Sequence, residues 1–127
     1  MEKRVVAGEG VPTGIGPYSQ AVRAGELVFV SGQPGVDPTT GASAGPTFGE
    51  QARQAFANLE AVLRAAGSSP EQVVSTTVLV ADQAHFPELN TLFGGFFPVD
   101  PPARMTMQVP LPHGLLLSIG CTAIASR

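Results

Sequence analysis

Residues 47–67 constrain the fold more than any other stretch of this chain. Thr47-Phe48-Gly49-Glu50 is a capping box: the threonine hydroxyl accepts from the amide three residues on, and the glutamate reaches back to the cap. Behind it Ala52, Ala55, Phe56, Leu59, Val62, Leu63 and Ala66 recur at helical spacing on one face, with Gln51, Arg53, Gln54, Glu60 and Arg64 mostly off it. Gly67 supplies the stop. So regular and apolar a face is a core face rather than a cofactor box. A helix of this kind has to bury its stripe against another layer.

The flanking sequence supplies that layer as strands. Residues 4–7 suit a short edge strand, and residues 18–23 and 26–32 flank a turn at Ala24-Gly25, which reads as a hairpin. Residues 31–35 end its second strand, and residues 37–41 form a turn. After the helix, Ser69-Pro70-Glu71 starts one short turn, residues 73–80 read as a buried strand, and Asp82 closes it. Phe86, Leu89, Phe93, Phe96 and Phe97 make a second helix on the same core, weakened at Gly94-Gly95 by roughly 1 kcal/mol per glycine relative to alanine. A strand starting at Arg104, a turn over residues 110–114 and a last strand over residues 115–125 complete the chain. The order β-β-β-α-β-α-β-β predicts an α+β fold, a mainly antiparallel sheet of about six strands with two helices on one face. The other face then needs a cover.

Composition points the same way. The chain has 127 residues, 43% apolar and only 13% charged, so we expect one domain over 1–127 whose apolar excess is partly covered by other subunits. The net charge is −3 with 7 Lys and Arg and no basic run, so no nucleic-acid partner is expected. One cysteine, Cys121, permits no intrachain disulfide. The first residues lack the apolar core of a signal peptide, and no apolar run approaches the roughly 20 residues of a membrane span. The expectation is a soluble cytoplasmic protein with no membrane partner.

Arg104 is the candidate with most chemistry. Pro101-Pro102 fix φ ahead of it, and residues 105–109 alternate as a strand, so its charged head is aimed from a rigid start. A guanidinium beside an apolar strand needs a partner, and a planar carboxylate matches its fork of donors. That carboxylate can be an Asp or Glu of this chain, one of a neighbouring subunit, or a ligand. Tyr18 is either a core residue or a donor facing a pocket. His85 and His113 read as surface residues, with no second metal ligand at a usual spacing, so no metal is expected. Cys121 reads as a buried, inert thiol. The Gly8-x-Gly10 start of the first loop has its third glycine misplaced for a dinucleotide loop and no helix pattern behind it.

Several segments together resemble the RidA/YjgF family of reactive intermediate deaminases. They are Ile15-Gly16-Pro17-Tyr18-Ser19-Gln20-Ala21-Val22, Val30-Ser31-Gly32-Gln33 with Asp37-Pro38-Thr39-Thr40-Gly41, and Gln51-Ala52-Arg53-Gln54 with Asn58-Leu59 and Ala65-Ala66-Gly67. Val78-Leu79-Val80-Ala81-Asp82, Phe86-Pro87-Glu88-Leu89-Asn90 and Pro102-Ala103-Arg104 follow in the family's order.

The resemblance implies a chorismate-mutase-like fold, a homotrimer with clefts between subunits, and hydrolysis of 2-imino or enamino acids to 2-oxo acids and ammonia without cofactor or metal. It implies that Arg104 clamps the substrate carboxylate, with Tyr18, Ser31, the Gly32 backbone, Asn90 and the Thr106 backbone lining the pocket. In active members a Glu on the last strand orients the attacking water; that position here is Gly120. Glycine cannot carry a proton, and such a group is worth typically about 10²–10⁴ in rate. The stretch over residues 112–117 is longer than usual by about two residues, a register change that would bring Glu26 or Glu88 to the cleft. Met105 and Phe93 replace a small hydroxyl residue and a Tyr that are common in the family, which makes the pocket more apolar. Two functions from different classes follow: an imine deaminase of weakened or altered activity, or a non-catalytic trimer that holds a small carboxylate metabolite or acts as a partner or chaperone. A ribonuclease or translation-inhibitor role comes third, disfavoured by the acidic balance.

Overall fold

The computed structural model of the chain describes residues 1–8, 11 and 16–125. Most of the first glycine-rich loop, with Gly10 and Ile15, lies outside the described residues. The strands are β1 (Lys3–Val6), β2 (Ala21–Ala24), β3 (Leu27–Pro34), β4 (Val73–Val80), β5 (Ala103–Gln108) and β6 (Leu117–Ile124); the helices are α1 (Phe48–Ala65) and α2 (Phe86–Phe96). They form one six-stranded sheet in the order β1-β2-β3-β6-β4-β5. Every neighbouring pair is antiparallel except β4–β5, which is parallel. The parallel pair follows from α2, which lies in the crossover between β4 and β5. The architecture is the α+β arrangement that the periodicities predict.

Helix α1 forms as its sequence dictates. Thr47 caps it reciprocally with Glu50, and Gly67 follows the C-cap at φ 82°. Its stripe, from Ala52 to Leu63, is buried against β3 and β6. Val28 and Val30 of β3, Val78 and Val80 of β4, and Leu117, Ile119 and Ala123 of β6 meet it from the sheet. Helix α2 joins the same layer through Leu89 and Phe93, and Phe56 of α1 packs between Phe93 and Phe96 at ring-centroid distances of 6.4 and 4.8 Å. No helix among the described residues is long and apolar enough to cross a membrane.

The opposite face of the sheet is bare in the single chain. Phe29, Met105, Met107 and Ile124 stand on it, each more than two-fifths exposed. In register with them run Thr122, Gly120 and Ser118 of β6 and Ser75, Thr77 and Leu79 of β4. Strand β4 is therefore buried on its helix side only.

Four local expectations are corrected. Strand β2 begins at Ala21, not at residue 18; the Ser31 N–H to Gln20 carbonyl bond, 2.8 Å, is the last main-chain link to β3 on that side. Strand β3 runs two residues beyond the expected Gly32, to Pro34, through an irregularity between Val30 and Gln33. Strand β6 starts at Leu117 rather than 115, because the Leu116 N–H donates to Gln51 Oε1 at 2.8 Å. Gln51 itself is buried inside the helix face, where its Nε2 also donates to the Gly45 carbonyl at 3.0 Å. A polar residue stands there because it satisfies the backbone of two loops.

Candidate active site

Arg104 is the second residue of β5, in register with Thr76 on β4 and so on the helix side of the sheet. Because α2 crosses over β4 and β5, Phe93 and Asn90 stand above it. The guanidinium carbon lies 4.9 Å from the centre of the Phe93 ring, and Nη2 donates to Asn90 Oδ1 at 2.7 Å. These two contacts fix the plane of the fork while leaving its charge uncompensated. Among the described residues no carboxylate pairs with it, whereas Arg64, for example, is paired with Glu60. Arg104 is exposed, and Thr106 stands two residues further along the same edge strand on the same side.

Tyr18, Ser31 and Gly32 lie elsewhere. Ser31 Oγ donates to the Ser19 carbonyl at 2.6 Å, tying β3 to the segment before β2. Tyr18 is half exposed, so it is not a core residue. Tyr18 and Gly32 line a cavity of about 350 Å³ together with Gln33, Val36, Asp37 and His113. Its walls are held from α1: Asn58, buried, donates from Nδ2 to the carbonyls of Pro34 at 3.1 Å and Val36 at 2.8 Å. Gln33, also buried, donates to Gln20 Oε1 at 2.7 Å.

Gly120 lies on the bare face beside the β3 irregularity, where an added Cβ would sit 3.1 Å from the Val30 carbonyl oxygen. It opens onto a shallow hollow of about 290 Å³ with Phe29, Ser75, Thr77 and Thr122. Three strand steps separate β3 from β5, about 14 Å at the usual spacing. A single chain therefore splits the predicted residues into two groups. Arg104, Asn90 and Thr106 stand at the β5 edge; Tyr18, Ser31 and Gly32 stand on the far side of β6 and β4, with Gly120 between.

The family model described as Endoribonuclease L-PSP matches residues 9–125. The chain is 40% identical over 124 residues to Reactive Intermediate Deaminase A, chloroplastic, of Arabidopsis thaliana, covering 97% of this chain and 66% of that one. It is 40% identical to the human 2-iminobutanoate/2-iminopropanoate deaminase, covering 96% of this chain and 90% of the relative. The crystal structure of the YjgF gene product from E. coli superimposes with a TM-score of 0.89 at 34% identity, over 97% of this chain and 99% of that one. The chain belongs to the RidA/YjgF family.

Seen as a RidA/YjgF chain, its departures from the family take definite positions. Phe93 is the ring beneath Arg104. Met105 does not share that surroundings: it points to the bare face in register with Thr77, so it makes that face apolar rather than the guanidinium's neighbourhood. Neither acidic alternative replaces Gly120 within the chain. Glu88 lies over the start of α1, its carboxylate 2.8 Å from where a Cβ on Gly49 would be. Glu26 sits at the β2–β3 turn, where its carbonyl accepts from Ala125 N–H at 2.7 Å.

One of the two histidines differs from its expected surface placement. His113 is exposed, but His85 is half-buried and stacks on Phe48 at a centroid distance of 4.6 Å. Among the described residues no group of three or more His, Cys, Asp or Glu is placed to hold a metal ion. Burial pushes the Cys121 thiol up to about 12 from an ordinary 9.0, which makes it a poor nucleophile. The cavity residues His113, Asp37 and Asn58 escaped the sequence reading of the site. Asn58 carried a usable signal, since it falls between Ala55 and Val62 at helical spacing and so interrupts the apolar stripe with an amide.

Proposed function

We propose that this chain is a RidA-type hydrolase that converts reactive 2-imino and enamino acids to 2-oxo acids and ammonia, without cofactor or metal. The observation that carries the reading is Arg104: a guanidinium oriented by Asn90 and Phe93, exposed, with no carboxylate partner among the described residues. The names of relatives at about 40% identity support it. In this reading the chain is a single domain over 1–127 that works in the cytoplasm as a homotrimer. The split between Arg104 with Asn90 and Thr106 on one side, and Tyr18, Ser31 and Gly32 on the other, favours a cleft completed by a neighbouring copy. Arg104 then holds the substrate carboxylate bidentately, while Tyr18 and the Gly32 backbone of the adjoining copy face the reacting carbon. Imines hydrolyse readily, so holding imine and water together supplies part of the rate.

The test is release of 2-oxo acid from imines made in situ by an amino-acid oxidase acting on small amino acids. Acceleration over buffer that disappears in Arg104→Ala is the expected result. No acceleration with any small imine rejects the reading. One observation favours a second function: the open-face row of Gly120, Thr77 and Met105 holds no acid or base. A trimer that binds a small carboxylate metabolite without turning it over would then raise its melting temperature with pyruvate or 2-oxobutanoate while leaving the imines untouched.

A further inference from the structure

The cavity beside Tyr18 and Gly32 has one feature that its sequence does not advertise. His113 stands on its wall with φ 58° and ψ 29°, left-handed backbone that a residue with a side chain adopts at a cost in free energy. It is held there from both sides. Leu115 N–H closes the turn onto the Pro112 carbonyl at 3.1 Å, and the buried Gln51 grips the next residue, Leu116. The Pro-His-Gly turn is thus anchored to α1, and His113 lines the same cavity as Tyr18 and Gly32.

The titratable groups facing that space are His113, Asp37 and Tyr18. Asp37 is committed to its own turn: its Oδ1 accepts from Thr39 N–H at 2.7 Å and from Thr40 N–H at 3.2 Å. A phenol is a hydrogen-bond donor rather than a base near neutral pH. Imidazole is the side chain best suited to take and return a proton there. The β6 position that opens on the bare face, Gly120, can do neither.

We propose that His113 is the proton carrier of this site; the proposal rests on the deaminase reading above. Water attacks the imine carbon of the protonated imine. As the C–O bond forms, the carbon–nitrogen π pair moves onto nitrogen and a water proton passes to the imidazole. The imidazolium then gives that proton to the carbinolamine nitrogen. The C–N bond breaks with its electron pair leaving on ammonia, and the remaining hydroxyl proton passes through the imidazole to that ammonia, giving the 2-oxo acid and ammonium. Iminium and water become oxo acid and ammonium, and His113 ends as it began.

The experiment compares wild type, His113→Asn, His113→Gln and Arg104→Ala in full-length protein. Substrate is 2-iminopropanoate generated in situ, with kcat and KM measured across pH 5–9. Asparagine tolerates left-handed backbone, so His113→Asn keeps the turn even if His113→Gln does not fold. The expected result is a kcat about 10²–10⁴-fold lower with KM and melting temperature little changed, a pH–rate profile of altered shape, and partial rescue by added imidazole. If His113→Asn keeps the rate and pH profile while Arg104→Ala is dead, the proton-carrier role falls and the deaminase reading stands. If wild type itself does not exceed buffer, both fall.

Discussion

Arg104 sits between two contacts of different kinds, and the difference sets what its replacement does. Asn90 and Phe93 orient the fork; neither neutralises it. A carboxylate that pairs with it gains two charge-assisted hydrogen bonds, each worth about 1.5–3 kcal/mol. Arg104→Lys keeps the charge but loses the fork and its stacking on Phe93, so kcat/KM for 2-iminopropanoate falls by about a hundredfold or more, with an unchanged melting temperature. Cys121 makes the second prediction at this scale. Its thiol is raised by burial to about 12 in the folded chain, against 9.0 when exposed. An unfolded chain therefore loses this proton first as pH rises from 9 toward 12. The stability that the neutral buried thiol contributes is whole below pH 9 and is lost as pH rises through 12. The urea midpoint of wild type should fall more steeply over that interval than that of Cys121→Ala, and a thiol reagent at pH 8 should label Cys121 only after unfolding.

At the scale of elements, the cavity depends on how closely the loop after β3 lies against α1. Gly35 is the point of contact: a Cβ there would overlap the backbone carbonyl and Cα of Gln51. Both obstacles are main chain and cannot rotate away. Gly35→Ala should therefore cost about 1–3 kcal/mol or more, seen as a lower urea midpoint at unchanged m-value. Gly41→Ala is a poor control despite its open surroundings, because Gly41 has φ 76°. The sheet and helices were legible from periodicity because each buries one face. The second half of the site was not, because its walls are loops whose shape is decided by the Gln51 and Asn58 side chains reaching out of α1. Helical spacing set Gln51 off the apolar face; only packing shows that it and Asn58 are buried with their amides holding backbone.

At the scale of the whole molecule, the bare sheet face is the outstanding feature. Phe29 is 45% exposed, Met105 57% and Ile124 45%, on a chain with few charges to compensate. Such a face is stable in water when another copy covers it. If the proposed trimer forms through this face, Phe29→Glu should turn it into a monomer in sedimentation velocity, with far-UV dichroism unchanged. If the cleft between copies is the site, imine hydrolysis falls with the trimer. A wild-type monomer in the same experiment would leave Arg104 too far from Tyr18 and Gly32 for one substrate to reach both.

The sequence by itself determined the order of strands and helices, the capped α1, the start of β5 at Arg104 and the family. Those features are local or periodic, and a residue's neighbours along the chain dictate them. Only the tertiary structure decided that Arg104 faces Asn90 and Phe93, that Met105 points away from it, and that His113 shares a cavity with Tyr18. Those relations depend on sheet register and on a crossover that stacks α2 over β5. One residue of register exchanges the two faces of a strand, and no spacing in the sequence records which face is chosen.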